Sequence, residues 1–352
     1  MIMSHVFSER MPDEIWSVAD RLAHPSPEVS ETVKLINRES PSRLLAALHE
    51  LTERDQGNGV RYAVFNDFDS DEYSETEVIL KLNPFANGAT ANMLARGEFL
   101  RRVMAAGQGV RDEEGKLVTL MMLMSPGFRG SNYQLSPDRR RAVRHGDFTP
   151  IAQELLSTVA RCKRSQIGRI GLIGFSHGAS IAVDVALQTK RDFDVSDIAL
   201  GDPAANETRT SAQLISDFMQ AGPRERSAAS REGGVYIEQL AETLPYGDFP
   251  SFALSLPHVN NLNLLQGLGR STLETKLQDL VHTTHADNVV VAYGSAIAKS
   301  TIMRPLLGRI DDPHQILTSI EVINNDHTWG DRLPLLGELA LKAFRPPDTL
   351  WT

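Results

Sequence analysis

The sequence contains very little cysteine, with Cys162 the only one among its 352 residues. No intramolecular disulfide and no cysteine-based metal site can therefore form, which fits a reducing compartment. No segment reaches the roughly 18 apolar residues of a membrane span. Charged side chains also interrupt the first 22 residues, which excludes the apolar core of a signal peptide. We therefore expect a cytoplasmic protein without a membrane span.

Positive charge is also scarce, since 36 Lys and Arg residues face 45 Asp and Glu residues, for a net charge of -9. No stretch gathers the Lys and Arg residues that a groove for phosphate backbones needs, so we expect no nucleic-acid partner. The densest basic run, at 139–145, is typical of a solvated loop or helix face, although it could bind an anion.

Motifs for metals and nucleotide cofactors are missing as well. The sequence has no HExxH motif, and its ten histidines are scattered. The acidic stretch near residue 70 does not have the spacing of a calcium loop. No GxGxxG motif follows a predicted strand. We therefore expect neither a metal nor a cofactor.

The apolar residues that are present follow two patterns. Over residues 12–55 they recur at spacings of three and four, which predicts an N-terminal helical extension at 1–58. From Val60 onward, short apolar runs alternate with amphipathic stretches, which predicts a mostly parallel sheet with helices on both faces. The predicted strands are 60–65, 78–82, 117–124, 170–173, 198–200, 289–293 and 316–323, with a turn at 67–77, and the predicted helices are 92–106, 148–160, 179–187 and 335–344.

This alternation stops after Pro203 and resumes near Val289. Residues 204–286 contain helical patches without a clear strand, which predicts a cap inserted between two parts of a core, 59–203 and 287–352. Large apolar residues of the insertion either line a hydrophobic pocket or form the core of the cap, and packing is the more common role of such side chains. They are Tyr246, Phe249, Phe252, Leu254, Leu262, Leu264 and Leu265.

The sharpest local motif is Gly-Phe-Ser-His-Gly at 174–178, preceded by an apolar run and followed by small residues. Such a GxSxG pattern gains weight where a strand turns sharply into a helix. The serine then has a strained backbone, and the two glycines remove side chains that would collide at the turn. The context predicts this strand, turn and helix around Ser176.

From this motif and its element order over about residues 60–345, the chain resembles the α/β-hydrolase family. The resemblance implies a nucleophilic Ser176 after the fifth strand, with the backbone N–H of His177 as one donor of the oxyanion hole. The second donor would follow the third strand, where Asn83, Pro84 and Phe85 stand. Pro84 has no N–H, so the matching donor is Phe85. A plain Pro-Gly turn is the alternative.

A serine nucleophile needs a base, and the resemblance places it after the last strand, where His327 stands. We call the turn at 174–178 the elbow. The other candidate histidines lie at the elbow, in or beside the insertion, or before the last strand, and they are His177, His258, His282, His285 and His314.

The orienting acid departs from the family's common position, because no carboxylate closely follows the seventh strand. A variant in some lipases places it after the sixth strand, where Asp202 stands. An Asp-Pro turn is the alternative role of Asp202. The fallback carboxylates are Asp311, Asp312 and Asp326.

The resemblance implies a serine hydrolase that cleaves a carboxylic ester, or a related acyl bond of a small molecule, through an acyl-enzyme. Two other classes stay open at this point. One is a catalytically inactive binding or scaffold protein, and the other is a lyase or cofactor-free peroxidase on the same fold. The sequence leaves the oligomeric state open.

Overall fold

The computed structural model describes residues 11–39, 52–65, 71–84, 91–107, 109–125, 135–162, 167–189, 193–216, 259–295, 297–323, 329 and 332–345. The strands of these residues are β1 (Glu14–Ser17), β2 (Thr52–Arg54), β3 (Arg61–Val64), β4 (Tyr73–Leu82), β5 (Leu117–Leu123), β6 (Arg169–Phe175), β7 (Asp194–Gly201), β8 (Asn288–Gly294) and β9 (Leu317–Ile323). The helices include α1 (Val18–Ala23), α2 (Pro27–Arg38), α3 (Ala91–Ala105), α4 (Pro137–Arg144), α5 (Thr149–Arg161), α6 (His177–Gln188), α7 (Val259–Leu268), α8 (Leu273–Thr283), α9 (Ile297–Gly308) and α10 (Leu333–Phe344). No helix within these ranges has the length and apolar character to cross a membrane.

The strands form one sheet in the order β1-β9-β8-β7-β6-β4-β5-β3-β2. Neighbouring strands are parallel except for the pairs β2–β3 and β3–β5, which are antiparallel. Strand β5 buries all seven of its residues, as a strand covered on both faces does. The prediction of a mostly parallel sheet flanked by helices is confirmed.

Alternate residues of the sheet belong to two separate cores. In β4, Leu80 and Leu82 lie in the core that α4 to α9 cover, whereas Ile79 lies in the core beneath α1, α2, α3 and α10. The side-chain period of two along a strand produces this division. We call these two sides the α6 face and the α10 face.

Among the described strands, β1 pairs with β9 alone and is the outermost strand on that side of the sheet. Without β1, β4 is the third strand along the chain, β6 the fifth, β7 the sixth, β8 the seventh and β9 the last. These are the positions that the family resemblance requires for the oxyanion loop, the nucleophile, the two alternative acids and the histidine. The chain has the α/β-hydrolase fold.

The predicted helical run over residues 12–55 is partly wrong. Helices α1 and α2 are present, but Glu14–Ser17 and Thr52–Arg54 are strands. In β1, Trp16 is 2% exposed and Ile15 is 56% exposed, an alternation too short to be recognised in sequence. Pairing with β9, with Trp16 opposite Val322, makes this segment a strand. That residues 1–58 form a separate extension stays a prediction.

Three further elements differ from or refine the sequence prediction. Strand β4 begins at Tyr73, so part of the predicted turn at 67–77 is strand. Helix α9 was not predicted, and for the basic run at 139–145, which we expected in a loop or on a helix face, the structure shows a helix, α4. Helix α4 carries the basic run, with Arg141 and Arg144 exposed. Its amino end is capped by the Ser136 hydroxyl, which accepts a hydrogen bond from the Arg139 N–H.

The predicted insertion is described at 204–216 and 259–286. Helices α7 and α8 pack in the α6-face core, where Leu264 and Leu265 are completely buried. Leu262, by contrast, is exposed. The remaining apolar residues that we expected to line a pocket or a cap core, Tyr246, Phe249, Phe252 and Leu254, lie outside the described residues. A cap role for 204–286 stays a prediction.

Candidate active site

Ser176 lies at the junction between β6, which ends at Phe175, and α6, which begins at His177. Its backbone has φ 56° and ψ -121°, in a region that residues with a Cβ atom rarely adopt and that costs about 1–3 kcal/mol. This is the strained turn expected from the sequence. The carboxyl ends of the parallel strands lie along one side of the sheet, which we call the carboxyl end of the sheet. Ser176 lies there.

Both glycines of the motif are required by close backbone contacts. A Cβ atom on Gly174 would lie 2.6 Å from the Cα atom of Ala179, inside the turn itself. A Cβ atom on Gly178 would lie 2.7 Å from the carbonyl oxygen of Asn83, and closer still to that of Leu82. The start of α6 therefore rests directly on the chain that leaves β4. This contact brings the beginning of the predicted oxyanion loop next to the elbow.

Gly178→Ala should therefore lower the free energy of unfolding by about 2–3 kcal/mol, because two backbone carbonyls cannot move aside for the new methyl group. The matched control is Gly337→Ala in α10, where the nearest atoms belong to the side chains of Val29 and Phe99 at 3.0 and 3.1 Å. Both substitutions gain the same helix propensity. Urea unfolding of the two variants measures the difference, and equal stabilities would contradict the backbone contact at Gly178.

Asp202 follows β7, immediately beside the elbow. The Ser176 N–H donates to the Gly201 carbonyl at 2.8 Å, and the Ala204 N–H donates to the Ser176 carbonyl at 3.2 Å. Asp202 is completely buried and has a positive φ of 45°, which Asp tolerates better than most residues. Its N–H donates to the Ala292 carbonyl of β8 at 2.6 Å. The structure thus brings Asp202 next to Ser176.

Two of the fallback acids lie at the opposite end of the sheet, where the parallel strands begin. The Asp312 carboxylate accepts a hydrogen bond from the Leu317 N–H at 2.8 Å, where β9 begins. Asp311 lies in the same turn, and its carbonyl contacts the imidazole of His282 at 2.9 Å. Because β9 runs parallel to β6, its first residues are one strand length away from Ser176. Neither acid is placed to orient a base there.

His327, Phe85 and Asp326 lie outside the described residues. Trp329, two positions after His327, is completely buried. Its ring meets the Phe175 ring edge to face with centroids 5.2 Å apart. It also lies 3.3 Å from where a Cβ atom on Gly201 would be. Trp329 thus contacts the residues that precede both Ser176 and Asp202, although two strands separate β9 from β6.

The imidazole of His177 is completely buried on the α6 face. It meets the Phe148 ring edge to face, with centroids 5.5 Å apart. Burial lowers the pKa of His177 to about 3, so the ring is neutral at physiological pH. The His177 side chain is therefore part of the packing beneath α6, and an oxyanion role for its backbone N–H stays a prediction.

A partly buried ion pair connects α6 to α8. The Lys276 Nζ atom donates to the Asp184 carboxylate at 2.5 Å and to the Gly146 carbonyl at 2.7 Å. It also lies 4.9 Å from the centroid of the Phe148 ring, the same ring that contacts His177. Burial raises the pKa of Asp184 to about 6, against the opposing effect of Lys276. The helix that begins at the elbow is therefore joined to the segment preceding β8.

A buried lysine that was not predicted from the sequence lies beside this site. Lys81, in β4, is 4% exposed. Its Nζ atom donates to the Asn83 side-chain oxygen at 2.6 Å and lies 3.8 Å from the Met122 sulfur. Burial, followed by the nearby charge of Arg96, lowers the pKa of Lys81 to about 7. In sequence it is the one polar residue of the predicted strand 78–82, and nothing there indicates that its amine is buried and bound to Asn83.

This lysine should make stability rise with pH. Between about pH 7 and 10.5 the unfolded chain holds a proton on Lys81 that the folded chain has lost, so the free energy of unfolding increases by at most about 1.4 kcal/mol per pH unit. Urea denaturation of wild type and Lys81→Met at pH 7, 8, 9 and 10 tests this. We expect the stability of wild type to rise relative to Lys81→Met over this range. If the stability of wild type and of Lys81→Met changes equally with pH, the folded state does not lower the pKa of Lys81.

Among the described residues, no group of three or more His, Cys, Asp and Glu side chains is arranged to hold a metal ion. The described part of the site consists of a strained serine, a buried carboxylate beside it and tightly packed backbone. Such an arrangement suits covalent chemistry at the serine hydroxyl, provided that a base completes it.

No protein-family model matches the sequence, and no relative is found among curated proteins. Similar solved structures include Est816, described as an N-acyl homoserine lactone degrading enzyme, which is 13% identical and has a TM-score of 0.49 over 82% of this chain and 98% of that chain. The esterase EaEST from Exiguobacterium antarcticum is 15% identical, with a TM-score of 0.48 over 83% of this chain and 97% of that chain. A putative hydrolase from Agrobacterium vitis S4 is 17% identical, with a TM-score of 0.45 over 84% of this chain and 98% of that chain. The strand order and the backbone of Ser176, rather than these similarities, carry the assignment of the fold.

Proposed function

We propose that the protein is a serine hydrolase that cleaves a carboxylic ester, or a related acyl bond, through an acyl-enzyme on Ser176. The observation that carries this proposal is the strained backbone of Ser176 at the strand–helix junction, hydrogen-bonded to the segment that contains Asp202. Strain of this kind persists where the surrounding structure enforces it, and it clusters at active sites. A serine that only caps a helix adopts an unstrained backbone conformation.

In the proposed reaction, the Ser176 hydroxyl attacks the substrate carbonyl while His327 takes its proton. The carboxylate of Asp202 orients the imidazole and stabilises its charged form. The backbone N–H groups of His177 and Phe85 bind the oxyanion. His327 then protonates the leaving group and activates a water molecule, which attacks the acyl-enzyme and releases the acid.

Two contacts support the assignment of residues that the structure does not describe. Trp329 packs beneath the site only two residues from His327, and two residues span at most about 7 Å. In the same way, Asn83 lies against Gly178 only two residues from Phe85. The described neighbours Trp329 and Asn83 therefore support the proposed roles of His327 and Phe85.

The substrate in this proposal is a small molecule that presents an ester to an apolar pocket. Thioesters and amides require the same nucleophile, base and oxyanion donors, so they are the next classes to test. We also propose that the segment 204–286 caps the site. Its large apolar residues would then contact the acyl group.

Intact-mass measurement after exposure to a fluorophosphonate tests the proposed function directly. Wild-type protein should gain the mass of one phosphonyl group within minutes, whereas Ser176→Ala should gain none, because an activated serine reacts quickly with this probe. A panel of p-nitrophenyl esters of increasing chain length then defines the acyl preference. Folded wild-type protein that neither reacts with the probe nor hydrolyses any ester would overturn the proposal.

An inactive scaffold and a lyase or peroxidase are distinguished by the same measurements. The scaffold predicts no adduct and no hydrolysis, and it draws support from the lack of a carboxylate directly after β8, where Ser295 and Ala296 follow in the sequence. A lyase predicts turnover without a trapped acyl group. Accumulation of an acyl-enzyme on Ser176 during ester turnover would exclude both.

A further inference from the structure

We infer that Lys81 is a positioning residue for the proposed hydrolysis, which fixes the start of the oxyanion loop by holding the side chain of Asn83. This inference rests on the proposed function and adds a residue to its machinery. The juxtaposition that carries it is a buried amine on β4 bound to the last polar side chain before the loop.

Asn83 is held from two sides. Its side-chain oxygen accepts a 2.6 Å hydrogen bond from the Lys81 Nζ atom, and its side-chain nitrogen contacts the Met124 sulfur at 3.1 Å. Its backbone carbonyl lies against Gly178 at the start of α6. Asn83 is completely buried. Both the peptide and the side chain of this residue therefore have one defined orientation.

The orientation of Asn83 bears on catalysis because the chain continues from it to Phe85. An oxyanion donor acts only when its N–H lies about 2.7–3.1 Å from the developing negative charge. Under the proposed function Phe85 is that donor, and Asn83 sets the direction in which the chain leaves β4 towards it. Lys81 has no need to touch the substrate to influence the rate.

Packing alone does not account for a lysine at this position. Ile79, two residues earlier on the same face of β4, is completely buried among apolar groups. Removing an amine from water is unfavourable, and an apolar side chain of similar length would fill the space. Lys81 differs from such a residue in one respect that the structure shows, which is its donated hydrogen bond to Asn83.

The test compares Lys81→Met with the matched control Ile79→Val on the same strand and face. Hydrolysis of p-nitrophenyl butyrate gives kcat and KM, and thermal unfolding gives Tm. We expect Lys81→Met to lower kcat by about 10- to 100-fold, as expected for a misplaced oxyanion donor, with KM within threefold and Tm unchanged or higher. Ile79→Val should lower Tm and leave kcat unchanged.

A second variant shows whether Lys81 acts through Asn83. Asn83→Leu should lower kcat as much as Lys81→Met does, and the double variant should be no slower than either one, because both substitutions break the same link. If Lys81→Met does not fold, Asn83→Leu provides the test by itself, since it leaves the lysine in place.

The outcomes separate this inference from the proposed function. If wild type reacts with the fluorophosphonate and hydrolyses the ester, but Lys81→Met or Asn83→Leu retains kcat within twofold, the inference about Lys81 is overturned and the proposed function stands. Additive losses in the double variant would equally overturn it. If wild type neither reacts with the probe nor hydrolyses esters, both fail together.

Discussion

Ser176→Gly should abolish ester hydrolysis and at the same time make the protein more stable. Loss of the nucleophile is expected to lower kcat by at least about 10⁴-fold. Glycine adopts the positive φ of this position without steric cost, so the variant should gain about 1 kcal/mol of unfolding free energy after its own entropic cost is subtracted. Esterase assays and urea unfolding measure the two effects separately.

Two controls isolate the cause of that gain. Ser176→Ala keeps the Cβ atom and hence the strain, so it should lose activity without becoming more stable than wild type. Gln315 is an exposed residue with φ 55° just before β9, at the end of the sheet where the parallel strands begin. Gln315→Gly should therefore gain stability without losing activity. If Ser176→Gly is less stable than Ser176→Ala, the backbone of Ser176 is not strained in solution.

Asp202→Asn should lower kcat by about 10³- to 10⁴-fold while leaving the fold intact. The amide has the same shape as the carboxylate but cannot stabilise a protonated imidazole, and it favours the wrong tautomer. Asparagine also tolerates the positive φ of this residue, which makes the substitution a conservative one for the backbone. The pH dependence of kcat and the fluorophosphonate reaction rate should both report the loss.

The control for this substitution is Asp312→Asn at the end of the sheet where the parallel strands begin. There the carboxylate accepts a hydrogen bond from the first residue of β9. It should cost some stability and leave kcat unchanged. An Asp202→Asn variant with at least a tenth of wild-type activity would show that Asp202 is not the orienting acid of the proposed mechanism. Asp326→Asn would then be the next variant to measure.

The regular part of the fold could be predicted because it depends on local patterns. Strand β5 appears in sequence as a continuous apolar run, and α5 and α10 appear as amphipathic stretches. Strand β1 could not be recognised this way. Its four residues acquire their structure from β9, more than 300 positions away, and pairing over that distance leaves no mark in a short segment.

The site was predictable to the extent that it follows strand ends. Ser176 and Asp202 were assigned from their positions after β6 and β7, and the structure places them side by side. Lys81 and Trp329 were missed for a different reason. Trp329 contacts Phe175 on a strand more than 150 positions earlier in sequence. Asn83 is only two residues from Lys81, but their hydrogen bond depends on burial that other strands and helices provide.

The pairing of β1 with β9 also has a consequence for synthesis in the cell. Glu14 lies opposite Ile320, so β1 cannot join the sheet until the residues of β9 have left the ribosome. At about 5–20 residues per second, Trp16 waits on the order of 15–60 seconds before its burial site exists. Contacts of such high sequence separation slow folding. During this interval the Trp16 indole ring cannot occupy its native burial site, so chaperones that bind apolar segments could bind it on the nascent chain.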